Sequence, residues 1–370
     1  EKENEFVIKK KTTYAKGCPV FEHQQVIGSY SVDTGRNIRF DKSQLKFIDR
    51  RFLPENKEMK VEMDLKKGLE KYRTYIGSQN DIFEILLQWL LSNASDLLSE
   101  DKRRLSADFI CTTGCLNNIM RLVYSNKSMR TMHVFMYKGS IYMKNWENES
   151  PALAVDSLVV QSRNNFKQII VGGESPEGID SNPEFRYVLC SNLDDMKLLY
   201  NADLDCVDPE QYEGDLQDKG SFMSVDLFLE PTDRQMQKIF LRYKTNQTWI
   251  KNRLAGIPRV VFGFTINDFI VNTLKVINTE DLPEMGKGFW TPNGCINFLN
   301  EFLKYVKKIA YKHPGKVLEF EKKKCSSRIT WKVLDVQDML PTWYTDNLFG
   351  EQQKHEETEP HNEQVKEQAF

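Results

Sequence analysis

The sequence predicts a mixed α/β fold class, in which helices and strands alternate within a single domain. Three observations predict it: apolar residues recur at helical spacing in several segments, β-rich runs lie between them, and no repeat or linker divides the series. A chain of 370 residues with 40% hydrophobic content can bury a substantial core. We expect this domain to span residues 1–348, followed by an acidic, disordered tail over residues 349–370.

The N-terminal half contains three predicted helices and one predicted hairpin. Apolar side chains recur every three or four positions over residues 78–95 and 106–124, which predicts two helices. Two β-rich runs around a Lys-Gly pair predict a hairpin over residues 132–146. A further helix is expected over residues 151–170, where two consecutive glycines follow its last turn and end it.

The C-terminal half contributes two predicted helices and six predicted strands. Thr232 and Gln235 form a capping-box pattern that opens a long helix, which Gly256 and Pro258 close. Thr291, followed by a proline, caps a second helix that continues to residue 311. The strands are predicted over residues 184–207 (two strands), 221–230, 259–264, 269–277 and 327–335.

Composition narrows the class of protein. No run approaches the eighteen or so apolar residues of a membrane span, and the charged start does not resemble a secretory signal. The seven cysteines are odd in number and scattered, so we expect reduced thiols rather than a disulfide framework. The net charge of −2 gives no global attraction for nucleic acid. We therefore expect a soluble intracellular protein that does not associate with membranes.

An acidic strand edge is the first candidate functional feature. Residues 201–208 read "NADLDCVD", and side chains alternate faces along a strand, so Asn201, Asp203 and Asp205 are expected to share one face. Asp208 precedes a proline and is assigned to the turn that follows.

Asp226 extends this acidic feature to the strand predicted over residues 221–230. If the polar faces of the strands align, Asp226 converges with Asp203 and Asp205. Clustered carboxylates repel one another unless a cation offsets the repulsion, which is the arrangement that Mg²⁺ sites of phosphodiester-cleaving enzymes use. A solvated strand face is the alternative interpretation.

Phe228 lies on the same predicted face as the acids. Metal-assisted hydrolysis usually includes a basic group that orients water or stabilises charge, and a phenyl ring does neither. Phe228 is expected to pack beside Phe222 or to provide a surface on which a base stacks.

A basic stripe follows on the long predicted helix, and it is the candidate RNA-binding surface. Basic residues recur there at four-residue intervals, with two further lysines nearby, a pattern suited to holding a nucleic-acid backbone. The ordinary alternative is a solvated helix face. The candidate residues are Arg234, Lys238, Arg242, Lys244 and Lys251.

Six short motifs follow one another along the chain: "IGSYSVD" (27–33), "DLDCVD" (203–208), "RYK" (242–244), "GIPRVVFGF" (256–264), "WTPNGCINF" (290–298) and "LPTWY" (340–344). Through these motifs, the order of elements resembles the DXO-type decapping exonuclease family. That resemblance implies a decapping-exonuclease fold, with two mixed or antiparallel sheets flanked by helices. It also implies removal of non-canonical RNA caps and 5′-to-3′ degradation with divalent ions.

Carried over position by position, the active-site motifs of that family are eroded. Lys167 stands where the resemblance places an acidic residue, and an ammonium group repels a metal ion as well as removing a ligand. We expect Lys167 to neutralise Asp203 or Asp205; an exposed helix lysine is the alternative. The positions that correspond to family motif residues are Thr113, Arg163, Lys167, Asp203, Asp205, Asp226, Phe228, Met236 and Lys251.

The resemblance, with its eroded motifs, implies a non-enzyme. It is closest to the branch of the family linked to germ-line piRNA source loci, which implies a nuclear adaptor that protects nascent piRNA-precursor transcripts from cap-dependent processing, splicing and termination. The implied partners are Deadlock and, through it, Rhino, together with RNA 5′ ends or nascent transcripts, and no cofactor is expected.

Two other functions stay open. One is a weak metal-dependent 5′ RNA decapping or exonuclease enzyme that uses Asp203, Asp205 and Asp226 around Mg²⁺ or Mn²⁺. The other is a protein-interaction module without RNA affinity.

Overall fold

The computed structural model describes residues 4–78, 81–100, 104–129, 131–146, 157–173, 178–267, 269–336 and 339–349. The first residues of the helix predicted to start at 151 lie outside these ranges, as does the predicted acidic tail from residue 350 onward. Phe349 belongs to the folded body, since its ring centroid lies 6.2 Å from that of Tyr137.

Fifteen strands occur in the described residues. They alternate with helices along the chain, as expected for a mixed α/β protein. Their bounds are β1 Glu5–Val7, β2 Gln25–Val32, β3 Ile38–Arg39, β4 Glu58–Asp64, β5 Phe109–Thr112, β6 Thr131–Tyr137, β7 Ser140–Trp146, β8 Glu184–Leu193, β9 Met196–Asp203, β10 Cys206–Val207, β11 Phe222–Leu229, β12 Arg259–Asn267, β13 Ile270–Asn278, β14 Val317–Glu321 and β15 Arg328–Leu334.

The described helices range from single turns to the 21-residue α9. Their bounds are α1 Lys11–Tyr14, α2 Asp81–Ser92, α3 Ala94–Leu97, α4 Thr113–Met120, α5 Leu158–Ile170, α6 Arg234–Ile239, α7 Thr245–Ala255, α8 Leu282–Met285, α9 Pro292–Lys312 and α10 Thr342–Leu348. No helix in these described ranges is both long and apolar enough to cross a membrane.

The strands form two sheets, and this confirms the predicted fold class. The larger sheet has the order β1-β15-β14-β6-β7-β5-β9-β8-β2-β3, and the smaller has the order β10-β11-β12-β13-β4. Most neighbours are antiparallel, whereas β5 runs parallel to β7 and β9, and β11 runs parallel to β12. Strands β9 and β10 follow each other in sequence but belong to different sheets.

The helix predicted over residues 106–124 is wrong in its first half. Residues Phe109–Thr112 form strand β5, and α4 begins only at Thr113. Phe109, Ile110 and Cys111 are fully buried, because β5 lies in the middle of the sheet and is covered on both faces. An apolar run buried on both faces has no alternation, so its period does not distinguish a strand from a helix.

The long helix predicted from Thr232 begins slightly later and is interrupted. Asp233 is its N-cap, and the Asp233 carboxylate accepts hydrogen bonds from the backbone amides of Gln235 and Met236, so the Thr232 capping box is not formed. A π turn over Phe240–Lys244 separates α6 from α7. The predicted end is correct: Gly256 adopts φ +72°, a left-handed conformation that suits glycine.

Helix α7 is anchored to the larger sheet at its C-terminal end. The buried Tyr187 and Tyr200 hydroxyls, from β8 and β9, donate hydrogen bonds of 2.7 Å to Ala255 O and 2.9 Å to Leu254 O. These bonds satisfy carbonyl groups that the helix end would otherwise leave unpaired. The anchoring sets which side chains of α7 face the junction between the two sheets.

Helix α5 packs closely on the smaller sheet. Gly263 in β12 makes this possible, since a Cβ there would lie 2.5 Å from the Phe166 ring and 2.7 Å from Leu227. The buried Phe166 side chain therefore occupies the space above Gly263. This close packing brings the next residue, Lys167, to the junction of the sheets.

Candidate active site

Asp203 and Asp205 lie where the chain crosses between the sheets. Strand β9 ends at Asp203, and the chain enters β10 of the smaller sheet at Cys206. The single strand predicted through this stretch is therefore broken after Asp203. Asp205 is held against β11, because its Oδ2 atom accepts a 2.9 Å hydrogen bond from Val225 N. Asp226 is the next residue of β11, so all three aspartates lie near the crossing.

Helix α7 and the preceding π turn present basic and hydroxyl groups to these aspartates. Lys251 Nζ lies 3.1 Å from Asp205 Oδ2 and 3.3 Å from Asp203 Oδ2. Lys244 Nζ forms an ion pair with Asp226 Oδ1, and Thr248 Oγ1 donates a 3.1 Å hydrogen bond to Asp226 Oδ2. Positions 244, 248 and 251 share one helix face by their spacing.

Lys167 reaches the same aspartates from helix α5. Its Nζ atom lies 2.6 Å from Asp205 Oδ1, so the predicted ion pair is present. The Lys167 side chain is 40% exposed, whereas that of Asp205 is 4% exposed. Asp205 thus has both carboxylate oxygens occupied by protein groups. We call these six residues the aspartate–lysine cluster: Asp203, Asp205, Asp226, Lys167, Lys244 and Lys251.

Burial and charge pairing act in opposite directions on the pKa values of Asp203, Lys251 and Lys244. Burial opposes ionisation of Asp203, but Lys251, Arg186 and Lys167 outweigh it and hold the pKa of Asp203 below its usual range. Burial also opposes the charge of Lys251, and Asp203 and Asp205 outweigh it, which raises the Lys251 pKa. For Lys244 burial is the larger effect and lowers its pKa, although Asp226 opposes that shift.

Two of the basic residues predicted to bind RNA form ion pairs with the aspartates. Lys244 pairs with Asp226, and Lys251 pairs with Asp203 and Asp205. Arg234, Lys238 and Arg242 remain exposed. The spacing of residues 244, 248 and 251 was a signal in the sequence that these side chains share a face, but it did not identify the acids opposite them.

The other predicted positions lie around the cluster. Thr113 Oγ1 donates a 3.0 Å hydrogen bond to Asn201 O, beside the end of β9, and Arg163 is exposed on α5. Phe228 packs against Phe240, with ring centroids 5.0 Å apart, rather than against Phe222. Phe228 is therefore a packing residue on the edge of the core.

Asp208 is separate from the cluster. The buried carboxylate of Asp208 lies 3.3 Å from Arg259 and 3.5 Å from Arg50, and the Asp208 backbone carbonyl accepts hydrogen bonds from the amides of Gln211 and Tyr212. This is the turn role that the sequence predicts. Arg186 was not predicted: it is buried between Glu184, which it contacts at 2.8 Å, and Asp203, whose charge it helps to stabilise.

The two sheets gather acidic and basic groups at their junction, and the family match assigns this architecture to the nuclease class. Residues 23–345 match the family model described as RAI1 like PD-(D/E)XK nuclease. That match covers most of the chain, and the chain belongs to this family.

Several curated relatives and solved structures are similar over most of their length. The Decapping and exoribonuclease protein of Xenopus laevis is 24% identical over 361 residues, covering 90% of this chain and 88% of the relative. Decapping nuclease RAI1 of Yarrowia lipolytica is 26% identical over 304 residues, covering 75% and 82%. The structure of Candida albicans Rai1 in complex with pU5-Mn²⁺ aligns with a TM-score of 0.75 and 13% identity, covering 93% of this chain and 98% of that one.

These relatives correct one expectation and weaken another. The expectation that the chain is not an enzyme is wrong, because the family is one of nucleases and its curated relatives are named for decapping and exoribonuclease activity. The expectation of no cofactor has no support from the solved neighbours, one of which is a manganese complex.

A divalent cation does not fit the aspartate–lysine cluster as it is arranged. Mg²⁺ takes oxygen ligands at about 2.0–2.1 Å, in near-octahedral geometry. Here each of Asp203, Asp205 and Asp226 has at least one oxygen bound by a lysine. Across the residues that the structure describes, no three or more His, Cys, Asp or Glu side chains are placed to hold an ion. An ion would have to displace ammonium groups.

Proposed function

We propose that this chain is an enzyme that hydrolyses RNA at its 5′ end, by decapping or exonucleolytic cleavage, through Asp203, Asp205 and Asp226. One observation carries the proposal: carboxylates from two sheets meet ammonium groups from two helical segments in one partly buried cleft. Phosphodiester hydrolysis requires positioned oxygen atoms and cationic groups that stabilise charge on the phosphate. Membership of the nuclease family and relatives named for decapping support RNA 5′ ends as the substrate.

Lys167 is the best placed group to bind a phosphate. It borders a cavity of about 210 Å³ together with Lys46, Asp203 and Asp205. Its ammonium group is partly exposed, so a phosphate oxygen that enters the cavity can accept a hydrogen bond from it. Lys46 adds a second positive charge at the same cavity, and burial, together with the charge of Lys167, lowers its pKa.

The aspartates divide the remaining roles by their exposure. Asp203 has the most exposed carboxylate of the three, at 36%, and it is ionised at neutral pH, so it can accept a hydrogen bond from the attacking water and orient it. Asp205 is almost fully buried and holds Lys167 and Lys251 in place. Hydrolysis usually includes a basic group that stabilises charge, and the Phe228 ring cannot act as one. Lys251 supplies this positive charge instead.

The test measures turnover of 5′-monophosphorylated and capped RNA by the purified chain. Reactions are run without metal and with titrated Mg²⁺ or Mn²⁺. We expect the native chain to show turnover and the Asp205→Asn variant to show none. Asp195 is an exposed residue (77%) outside the cluster, so Asp195→Asn should leave turnover intact. Absence of turnover with both substrates under every metal condition would overturn the proposal, as would an Asp205→Asn variant of native activity.

We also propose a nuclear role for the chain, through its resemblance to Cutoff, the member of the decapping exonuclease family associated with germ-line piRNA source loci. In this role it associates with nascent piRNA-precursor transcripts, protecting them from cap-dependent processing, splicing and termination, with Deadlock as its direct partner and Rhino joined through Deadlock. The exposed Arg234, Lys238 and Arg242 support contact with RNA. Purification from crosslinked nuclear extract is expected to recover Deadlock and such transcripts. Recovery of neither would refute this role and would leave the hydrolysis assay unaffected.

A further inference from the structure

A second cavity, of about 380 Å³, borders a different face of the helical segment that carries Lys244 and Lys251. It lies between residues 239–247, the segment after α4 and the β14–β15 turn. We call it the basic pocket. The residues that line it include Arg121, Asn126, Lys127, Tyr243, Gln247 and Lys324.

The charge of the basic pocket is of one sign. Arg121, Lys127 and Lys324 contribute three positive groups, and none of its described lining residues carries a carboxylate. This differs from the aspartate–lysine cluster, where each carboxylate contacts a lysine. A concave surface whose described lining includes basic side chains and no carboxylate attracts a polyanion. The ligand that fits is therefore one with closely spaced negative charges.

An exposed aromatic ring adds a second recognition element. The Tyr243 side chain is 44% exposed, and the guanidinium of Arg242 lies 5.0 Å from its ring centroid. Such a cation–π contact holds a ring in place and adds positive charge beside it. Asn126 and Gln247 contribute amide groups that can hydrogen-bond to base edges. Together these groups suit a nucleotide with an unstacked base.

The walls of the basic pocket are preformed. The segment after α4 is tied to the β14–β15 turn by Lys322 Nζ, which donates to Lys127 O at 2.8 Å, and by Cys325 N, which donates to Asn126 O at 2.7 Å. On the opposite wall, Asn246 Nδ2 contacts the buried Cys295 sulfur at 3.3 Å. A rigid site loses little conformational entropy when a ligand binds.

From these features we infer that the basic pocket binds one nucleotide of single-stranded RNA, with its base stacked on Tyr243 and its phosphates held by Lys127 and Lys324. The cavity volume is within the range of small-ligand sites, about 300–1,000 Å³. Stacking on an aromatic ring accepts every base, whereas the lysines contact only the backbone, so binding is independent of sequence. The pocket holds RNA whether or not the aspartates cleave it.

The experiment measures binding of a fluorescent phosphorothioate oligouridylate, which resists hydrolysis, to the full chain by anisotropy. Tyr243→Ala is expected to weaken binding by about fivefold to a hundredfold. Lys127→Ala/Lys324→Ala is expected to reduce the slope of log affinity against log salt by about 1.4, the value for two contacts to a single strand. Tyr311→Ala is the matched control, since that ring is 50% exposed and lies outside the pocket.

The outcomes separate this site from the hydrolytic one. Weaker binding for Tyr243→Ala, with native affinity for Tyr311→Ala and native far-ultraviolet circular dichroism for both, supports the pocket even if the chain shows no turnover. Native affinity and an unchanged salt slope in the pocket variants would overturn it, even if Asp205→Asn abolishes turnover. Equal losses for Tyr243→Ala and Tyr311→Ala would also count against it.

Discussion

Removal of Lys251 is the most direct test of the aspartate–lysine cluster. The Lys251→Met variant keeps the length of the side chain and deletes the charge that lies 3.1 Å from Asp205 Oδ2 and 3.3 Å from Asp203 Oδ2. Asp205 is 4% exposed, so water cannot replace the lost ammonium group. We expect the free energy of unfolding to fall markedly.

The expected size of that fall follows from the contacts that remain. Each direct attraction in the pair of contacts is about 5 kcal/mol at an effective dielectric constant of about 20. Desolvation of the buried groups offsets much of this, and breaking a buried ion pair usually costs about 3–5 kcal/mol. Asp205 keeps Lys167 and the Val225 amide in the variant. We therefore expect a loss of about 2–4 kcal/mol.

Urea unfolding followed by circular dichroism at neutral pH measures this loss. Lys238→Met is the control, because Lys238 is exposed on the neighbouring helix and its replacement should change stability by no more than about 0.5 kcal/mol. In Lys167→Met/Lys251→Met, Asp205 has no ammonium partner, so the loss should exceed the sum of the single losses by about 1 kcal/mol or more. A Lys251→Met variant as stable as the control would refute the reasoning.

Three further predictions follow from the same contacts. Gly263→Ala places a methyl group against Phe166 and should lower the free energy of unfolding, measured in urea, by about 1–3 kcal/mol. Gly114→Ala is the control, because the nearest atom to the added methyl group would lie 3.4 Å away, and it should not cause this loss. Equal effects of the two changes would contradict the close packing of α5 on Gly263. The lowered Asp203 pKa stabilises the fold above about pH 4, and this stabilisation is lost as pH falls through the pKa of Asp203 in the folded state. The difference in free energy of unfolding between the native chain and Asp203→Asn should therefore narrow on acidification. A difference that stays constant would argue against the lowered Asp203 pKa. Mn²⁺ should raise the melting temperature of Lys167→Met/Lys251→Met more than that of the native chain, because the carboxylate oxygens freed in the variant can bind the ion. Equal shifts in melting temperature would show that the ammonium groups do not compete with Mn²⁺.

Much of the fold could be predicted from local patterns. Helical spacing located α2, the Thr291 cap with its following proline located α9, and the β-rich runs around Lys138 and Gly139 located the β6–β7 hairpin. Strand β5 was mistaken for helix, and strands β1, β2, β3, β4 and β14 were not predicted. Most of those strands depend on partners that are distant in sequence, and a short strand buried on both faces carries no periodic signal.

The sequence by itself indicated that Asp203, Asp205 and Asp226 lie close together and that Lys167 neutralises Asp203 or Asp205. It placed Lys244 and Lys251 on a candidate RNA-binding surface instead. It also determined that residues 244, 248 and 251 share a helix face, since that follows from the geometry of one helix. Only the tertiary structure decided which lysine meets which aspartate. The chain crosses between sheets after Asp203, Gly263 lets α5 approach, and two tyrosines anchor α7. Ion pairs form between elements far apart in sequence, and their partners depend on how whole elements pack.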